Sequence, residues 1–445
     1  MAVEEISTQA RETLESRIRT REALIGIVGL GYVGLPLAVE FARAGMRVVG
    51  IDVDDHRVAE IGAGRSYIPD VSSAVLQDLV KRGSLRATVE FPMLAEADAV
   101  VICVQTPFTA AKEPDLRFVV AALGEVANRL HPGELVVLQS TTYPGTTEEV
   151  ALPLLAASGL RVGEDYFLAF SPERVDPGNT RFSTRDIPKV VGGITPACAA
   201  AAQLLFEQVV TRVYRVSSAR VAELTKLLEN VFRSVNIALV NELTLLCDRM
   251  GVDVWEVIGA AATKPFGFMP FYPGPGVGGH CIPVDPYYLS SKAKEYDFNT
   301  RFIVLAAEIN ENMPYYVADR VTEAINVHAR KSISSAGILG LGVAYKAGIG
   351  DVRKSPAVKV LERLGRRGAS IAYHDPYVAR IRIHGQDYAS VPLTAEEIGR
   401  ADCVLILTDH PGIDYGWVVK HASLVFDTRN ATKSVGAPAA NVLKL

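Results

Sequence analysis

The sequence has few cysteines and no clustered pair among them. Its five, Cys103, Cys198, Cys247, Cys281 and Cys403, include no CxxC and no two close neighbours. That spacing argues against a zinc knuckle or a disulfide framework and suits a reducing compartment. An excess of one charge is missing too. Lys and Arg number 46 against 50 Asp and Glu, so there is no basic stripe of the kind that neutralises nucleic-acid phosphates. No apolar run approaches the roughly 20 residues of a membrane span. Residues 1–22 alternate acidic and basic side chains and lack the apolar centre of a signal peptide. They read as a solvated leader helix of a cytoplasmic protein whose partners are small molecules, with neither nucleic acid nor membrane among them.

What is present is enough chain, at 445 residues, for two or three domains with cores of their own. The stretch "ALIGIVGLGYVGLPLAVEFARAGMRVVGIDVD" reads as strand, glycine turn, helix and strand. Continuous apolar runs such as "IGIVGL", "ADAVVICVQTP" and "GELVVLQSTTYPG" are those of parallel strands buried on both faces, with helical stretches between them. The expected fold is therefore α/β and doubly wound. From Ser217 to Met250 neither glycine nor proline interrupts the chain, and a helix of that length spans about 50 Å, which suits a linking or dimer-forming element. Beyond it the pattern returns to strands and helices. "IGIVGLGYVG" pairs with "AGILGLGVAY", and "EADAVVICVQTP" with "RADCVLILTDHP". These echoes predict two Rossmann-like parallel-sheet domains joined by a long central helix and a helical dimerisation region. The expected boundaries are 23–212, 213–325 and 326–445.

Gly29, Gly31 and Gly34 form G-x-G-x-x-G directly after a predicted strand and at the opening of a helix. A dinucleotide needs glycine there for the tight turn, for backbone approach to the pyrophosphate and for close helix packing, while the first helical N–H groups meet the phosphates. Asp52 ends the next strand, 21 residues beyond Gly31, as expected of a carboxylate for the adenosine ribose. It would repel a 2′-phosphate, so NAD is the expected cofactor. A bare glycine turn with a surface aspartate is the alternative, and strand, helix and aspartate in register outweigh it. Tyr32, Val33, Arg57, Thr106 and Thr141 complete the cofactor-binding candidates, Arg57 at the adenine end. In the second echo Gly340 and Gly342 are present, but Tyr345 stands where the third glycine would be, followed by Lys346. A bulky residue hinders a dinucleotide and a lysine favours a phosphate, so this half is expected to take a different anionic nucleotide, with Arg353 and Arg429 as further contacts.

Lys226 and Asn230, four apart on the long helix, share a face and can donate to a reacting oxygen or to water. A snorkelling lysine beside a rim asparagine is the competing reading. Val221, Leu224, Leu227, Leu228, Val231 and Phe232 are expected to supply core around them. "FSPERVDPGNT" places Glu173 and Arg174 in a turn-rich loop after an apparent strand, where ligands of such sheets bind. In "GPGVGGHCIPVDPYYL", Pro283 and Pro286 forbid an uninterrupted helix, so a loop must place Gly278, Cys281 and Asp285. A zinc ligand is the weakest reading of Cys281, since no second ligand cluster is visible. Spacing alone does not choose between a buried filler and a nucleophile.

Taken in order, "GIVGLGYVGLPLA", "QSTTYPGTT", "SPERVDPG", "ELTKLLENVFRSVNIALVNEL", "GPGVGGHCIPVDPYYL" and "LGVAYKAGIGDVRKSP" resemble the UDP-glucose/GDP-mannose dehydrogenase family from about residue 24 onward. The forms "SPERVDPG" and "TKPFGFMPFYPGPGVGGHCIPVDPYYL" are most similar to its bacterial branch that oxidises UDP-N-acetylglucosamine at C6. The resemblance implies an NAD domain, a central dimer-forming region and a C-terminal UDP-sugar domain. It implies two hydride transfers from C6, with Cys281 adding to the aldehyde to give a thiohemiacetal and then a thioester that water opens. Lys226 and Asn230 then match oxyanion donors, and Asp285 matches a carboxylate that positions water. Glu173 and Thr141 match residues near that water, and Lys346 and Arg429 match substrate contacts, with Arg174 and Gly278 beside them. Where several family members carry a partner-subunit arginine before the cysteine loop, this chain has "TKPFGF" with Lys264. Competing readings are the same oxidation of UDP-glucose, UDP-N-acetylgalactosamine or UDP-N-acetylmannosamine, a two-electron beta-hydroxyacid dehydrogenase, and a non-catalytic nucleotide sensor.

Overall fold

The computed structural model describes residues 2–109, 112–176, 182–279, 282–435 and 440–445. The chain forms two compact units, Met1–Glu229 with Tyr287–Asp297 and Asn230–Pro286 with Phe298–Leu445.

The first unit is built on eight strands: β1 (Leu24–Val28), β2 (Arg47–Ile51), β3 (Leu85–Thr88), β4 (Ala99–Ile102), β5 (Leu135–Leu138), β6 (Phe167–Phe170), β7 (Lys189–Gly193) and β8 (Val213–Arg215). Their order is β3-β2-β1-β4-β5-β6-β7-β8. All neighbours are parallel except β6 and β7, which run antiparallel. Because β1, β4, β5 and β6 are sandwiched between helices, they are almost wholly buried and need apolar side chains on both faces.

The N-terminal helix, Ala2–Thr20, is not the solvated leader expected of its charges. Leu14 and Ile18, one turn apart, are buried in the core against the helix Pro196–Phe206. Arg17 pairs with Asp98 at 2.8 Å. Two apolar residues four apart are enough to dock a helix whose other faces stay charged.

In the second unit β9 (Gly337–Leu341), β10 (Ser370–His374), β13 (Cys403–Ile406), β14 (Val425–Asp427) and β15 (Val442–Lys444) form a parallel sheet in the order β10-β9-β13-β14-β15, and β11 (Arg380–Ile383) and β12 (Gln386–Ala389) make a separate hairpin. The sequence echo is a structural one. The Leu24 amide donates to the Asp98 carboxylate at 2.7 Å, and the Gly337 amide to Asp402 at 2.9 Å. The register of the glycines differs from that read off the sequence. Gly29 follows β1 and donates to Ile51 O at 2.7 Å, whereas Gly342, not Gly340, follows β9 and donates to His374 O at 2.9 Å. Gly340 lies inside β9, so Tyr345 does not occupy the place of the third glycine. The chain instead continues through a loop until Pro356 opens the next helix.

The long helix runs from Ala219 to Met250, beginning in the first unit and ending in the second. Leu227 and Val231 are core, but Val221, Leu224, Leu228 and Phe232 are exposed, Leu228 at 63%. With Leu239, Leu243, Leu246 and Met250 they form an exposed apolar stripe, two runs at spacings of three and four separated by the seven residues from Phe232 to Leu239. Sequence spacing cannot separate two apolar stripes on one helix.

Candidate functional site

In the first unit the candidate residues gather at the carboxyl edge of the sheet, the edge where ligands of open α/β sheets bind. Gly29 follows β1, Asp52 follows β2, Thr106 lies beyond β4, Thr141 beyond β5 and Glu173 beyond β6. Gly29 has φ 94°, a conformation that suits glycine. A Cβ on Gly34 would stand 1.8 Å from Gly29 O, so that helix start fits only glycine. At Gly31 a Cβ would meet nothing nearer than Arg57 Nη1 at 4.0 Å. The third glycine role, close approach by a ligand, is thus left for Gly31. Val33 precedes the helix Gly34–Arg43 without a side-chain cap. The Leu35 amide donates to Gly31 O at 3.1 Å and Pro36 has no N–H, which leaves the Gly34 N–H of the helix start for a pyrophosphate.

Asp52 is buried. It accepts from the Leu30 amide at 2.8 Å and pairs with Arg57 at 3.3 Å. Tyr67, which the sequence reading missed, donates to Leu30 O at 2.6 Å and lies beneath the Arg57 guanidinium. Turn, aspartate, arginine and tyrosine form one assembly that fits a dinucleotide: an anion site at the helix start and a carboxylate and cation at the adenosine end.

Glu173 is fixed from four sides. Its Oε2 accepts from Gln139 at 2.7 Å and from Lys189 at 3.2 Å, and its Oε1 from the amides of Arg174 and Val175. Burial pushes its carboxyl up, but Lys189 and the backbone donors outweigh that and hold it below the ordinary carboxylate value. Gln139 and Lys189 were not singled out in the sequence because each is unremarkable without its partner. Arg174 pairs with Glu229 at 2.6 Å and donates to Pro188 O, so its guanidinium is taken up by the protein. Cys103 is a half-buried thiol packed against the core, raised to about 12 by its apolar surroundings, and fits the filler reading.

Thr141 is half-buried, and its hydroxyl makes no hydrogen bond among the described residues. Lys226 is 9% exposed, and among the described residues it too forms neither a hydrogen bond nor an ion pair. A snorkelling lysine keeps its ammonium in water. Burial without a partner is therefore at odds with the snorkelling reading and marks Lys226 as a candidate ligand contact.

In the second unit Asn230 donates from Nδ2 to Asp285 Oδ2 in a short hydrogen bond, both side chains buried. Asp285 is the first residue of the helix Asp285–Ala293. His280 and Cys281 lie outside the described residues. The glycine-rich approach to them is closely held. Asn241 accepts from the Gly274 amide at 3.1 Å and donates to Asn310 at 2.9 Å. A Cβ on Gly278 would lie 2.6 Å from Tyr345 Cβ, and the Gly279 amide donates to Arg353 O at 3.0 Å. Tyr345 therefore buttresses the loop that leads to the cysteine. Lys346 is half-buried beside it. Arg429 lies over Gly274 and donates to Leu407 O. Burial pulls it down to about 10 against the carboxylates of Asp409 and Asp427, and it stays cationic near neutrality.

The second nucleotide-like fold has its own aspartate where the first has Asp52. Asp375 follows β10 and accepts the Val343 amide at 2.7 Å, as Asp52 accepts that of Leu30. But its Oδ2 also takes the Ala344 amide and His410 Nε2, and its Oδ1 the amides of Tyr377 and Val378. No lone pair is left for a ribose, so this domain cannot bind a dinucleotide as the first does.

Comparison with known proteins agrees with this division. The chain matches the models of the UDP-glucose/GDP-mannose dehydrogenase family for the NAD binding domain over residues 23–210, the central domain over 220–312 and the UDP binding domain over 339–434. It is 36% identical over 393 residues to the UDP-N-acetyl-D-glucosamine 6-dehydrogenase of Pseudomonas aeruginosa, covering 88% of this chain and 91% of that one. It is 39% identical over 396 residues to the NDP-N-acetyl-D-galactosaminuronic acid dehydrogenase of Ralstonia nicotianae, covering 87% and 90%. The solved UDP-D-ManNAc dehydrogenase of Pyrococcus horikoshii superposes with a TM-score of 0.85 at 35% identity, covering 95% of this chain and 98% of that one.

Proposed function

This chain belongs to the UDP-glucose/GDP-mannose dehydrogenase family and is an NAD-dependent nucleotide-sugar dehydrogenase, and from that premise we propose that it oxidises the C6 hydroxymethyl of UDP-N-acetylglucosamine to the acid. In this reading residues 23–212 bind NAD, residues 213–325 form the dimer and carry the cysteine loop, and residues 326–445 hold the UDP-sugar. The observation that carries it is the Asn230–Asp285 hydrogen bond. It fastens the carboxylate that follows Cys281 to the long helix, one turn after Lys226, which has no partner among the described residues.

NAD, when bound, would supply the hydride acceptor for each of two rounds of oxidation at C6. Gly31, the uncapped helix start and Asp52 hold it, and Arg57 with Tyr67 close the adenosine end. In the first round C6 loses hydride and the hydroxyl loses its proton, which leaves an aldehyde. The Cys281 thiol adds across the C=O bond, its sulfur to C6 and its proton to oxygen. Lys226 and the second N–H of Asn230 stabilise the negative charge that develops on that oxygen. Loss of the second hydride and of the hydroxyl proton gives a thioester. Water, positioned by Asp285 with Lys226 and near the Thr141 hydroxyl, attacks it. The C–S bond breaks, the thiol is restored and the uronate leaves. Glu173, ionised and fully hydrogen-bonded, keeps the loops after β5 and β6 together beside this chemistry.

The exposed stripe of the long helix supports a homodimer, since eight apolar residues along one helix are too many to leave in water. The buried free thiols Cys198, Cys247 and Cys403 suit the cytoplasm. Among the described residues no helix is long and apolar enough to cross a membrane. The test is stoichiometry and choice of sugar. UDP-N-acetylglucosamine should yield two NADH per sugar and outpace UDP-glucose, UDP-N-acetylgalactosamine and UDP-N-acetylmannosamine. One NADH with accumulating aldehyde refutes the mechanism, and faster turnover of another sugar refutes the substrate. Cys281→Ser should stop acid release while NAD still binds.

A further inference from the structure

Three residues before Lys226, the long helix carries a second buried ionisable group, Glu223, only 1% exposed. Its Oε1 accepts from the Thr147 amide at 2.8 Å and the Thr147 hydroxyl at 2.6 Å, and its Oε2 from the Gly145 amide at 2.5 Å. Among the described residues it forms no ion pair with a basic side chain. Burial, with a smaller push from the Glu148 carboxylate, raises its carboxyl to about 7 against the pull of the three donors. Such a group is expensive to bury, and a neutral side chain would fill the space at less cost.

The donors lie at the far end of the loop that begins at Gln139 and contains Thr141. The near end is fastened by Gln139 to Glu173 and by the Ser140 hydroxyl to Val104 O at 2.7 Å. Gly145 has φ 103°, and the helical segment Thr147–Ala151 starts just beyond it. Amides at a helix start have no partners within the helix, and an anion there is favoured by the helix dipole as well. Glu223 thus supplies from another helix the cap that the segment lacks. The consequence is a fixed relation between two free donors: the loop that bears the Thr141 hydroxyl is tied to the turn before the one that bears the Lys226 ammonium.

We propose that Glu223 is a positioning residue for the oxidation, locking the Thr141 loop to the long helix so that the Thr141 hydroxyl and the Lys226 ammonium keep their registry through both hydride transfers. This rests on the roles given above to Lys226 and Thr141. Glu223 touches neither substrate nor cofactor and acts through the loop. A displacement of about 1 Å in such a constellation costs on the order of a hundredfold in rate, which sets the scale expected on breaking the tie.

The test is steady-state kinetics of the full chain with UDP-N-acetylglucosamine, the other three UDP-sugars and NAD. Glu223→Gln keeps the volume but turns an NH2 group toward a backbone or hydroxyl donor, so at least one of the three hydrogen bonds is lost. The expected result is a kcat lowered by ten- to a hundredfold on the scale just given, with the KM for NAD unchanged within twofold, since the glycine turn and Asp52 are untouched. Glu223→Asp, which keeps the charge, should recover part of the loss. Thr147→Val removes a single donor and leaves the carboxylate and the helix intact. It should lower kcat in the same sense by about threefold, and it serves if Glu223→Gln does not fold. A merely structural role predicts instead that kcat, NAD affinity and thermal midpoint decline together. That pattern, or a kcat within twofold of wild type in Glu223→Gln, overturns the assignment. If the wild-type chain reduces NAD with none of the four sugars, the functional reading falls and the positioning role falls with it. Wild-type turnover with an unaffected Glu223→Gln sinks the positioning role alone.

Discussion

Replacing Gly31 and Gly34 by alanine, one at a time, separates two reasons for a glycine in the same turn. At Gly34 the new methyl would sit 1.8 Å from Gly29 O and 3.0 Å from Gly29 C, both backbone atoms that cannot swing aside. At Gly31 its nearest neighbour would be the tip of Arg57 at 4.0 Å, an ordinary contact with a flexible side chain. Gly34→Ala must therefore move the helix Gly34–Arg43 away from β1, an overpacking that costs about 1–3 kcal/mol or more. Gly31→Ala costs the free protein almost nothing. The methyl instead occupies the space through which the pyrophosphate approaches the backbone, and the same overpacking is then met only in the complex.

An affinity loss of about 1–3 kcal/mol is roughly five- to 150-fold in Kd. The assay is a pair of measurements on each variant, thermal unfolding without ligand and NAD titration by calorimetry. Gly31→Ala should unfold with wild type and bind NAD at least fivefold more weakly, whereas Gly34→Ala should lose both. Wild-type affinity in Gly31→Ala would refute the placement of the pyrophosphate. A loss of stability in Gly31→Ala equal to that in Gly34→Ala would refute the packing argument.

Ile18→Ala should lower unfolding stability by about 2–5 kcal/mol, because Ile18 is fully buried. A denaturant midpoint unchanged from wild type would mean that the N-terminal helix is not docked. Asp375→Asn breaks a buried aspartate–histidine contact of 3.0 Å, at a cost of about 3–5 kcal/mol, while calorimetry should still count one NAD per chain. A second NAD site that vanished with the substitution would contradict the reading of Asp375. Leu228→Glu should shift sedimentation at micromolar concentration toward monomer, and an unchanged profile would place the interface elsewhere. Burial raises Glu134 to about 8 from an ordinary 4.5, so its contribution to stability is complete below 4.5 and is lost as the pH rises through 8. Glu134→Gln should flatten the fall in thermal midpoint between about pH 5 and pH 8, and an unaltered slope would show that Glu134 is not its source.

The parallel strands were legible because burial on both faces demands continuous apolar runs, and the dinucleotide turn because three glycines each meet a separate steric need. The second domain's turn was misaligned by two residues for a related reason. "GLG" occurs in both turns, but in one it lies after the strand and in the other it includes the strand's last residues. Only the hydrogen bond from Gly342 to His374 O settles which glycine ends β9. Contacts such as Gln139 and Lys189 on Glu173, or Tyr345 against Gly278, join residues far apart in sequence. Nothing local marks them.

The long helix is the harder case: of the six apolar residues its periodicity assigns to the core, Leu227 and Val231 are buried, while Val221, Leu224, Leu228 and Phe232 are exposed. A surface helix ordinarily buries its apolar stripe and exposes its polar one. This one does the reverse over much of its length: Glu223, Lys226, Asn230, Ser234, Asn241 and Thr244 are buried, while Leu224, Leu228, Phe232, Leu239 and Leu246 face outward. Inverted amphipathicity is unfavourable on both sides unless each is answered. The polar side is answered residue by residue, with Glu223 on Gly145 and Thr147, Asn230 on Asp285 and Asn241 on Asn310. Lys226 alone of these ionisable and amide side chains has no such partner among the described residues. The apolar side, apart from Phe271 edge-on to Phe232, stays exposed among the described residues. The two sides differ in kind: the proposed reading places an oxyanion beside Lys226 and a second apolar surface along the stripe. If a second copy covers the stripe, the helix that carries Lys226 also carries the subunit contact.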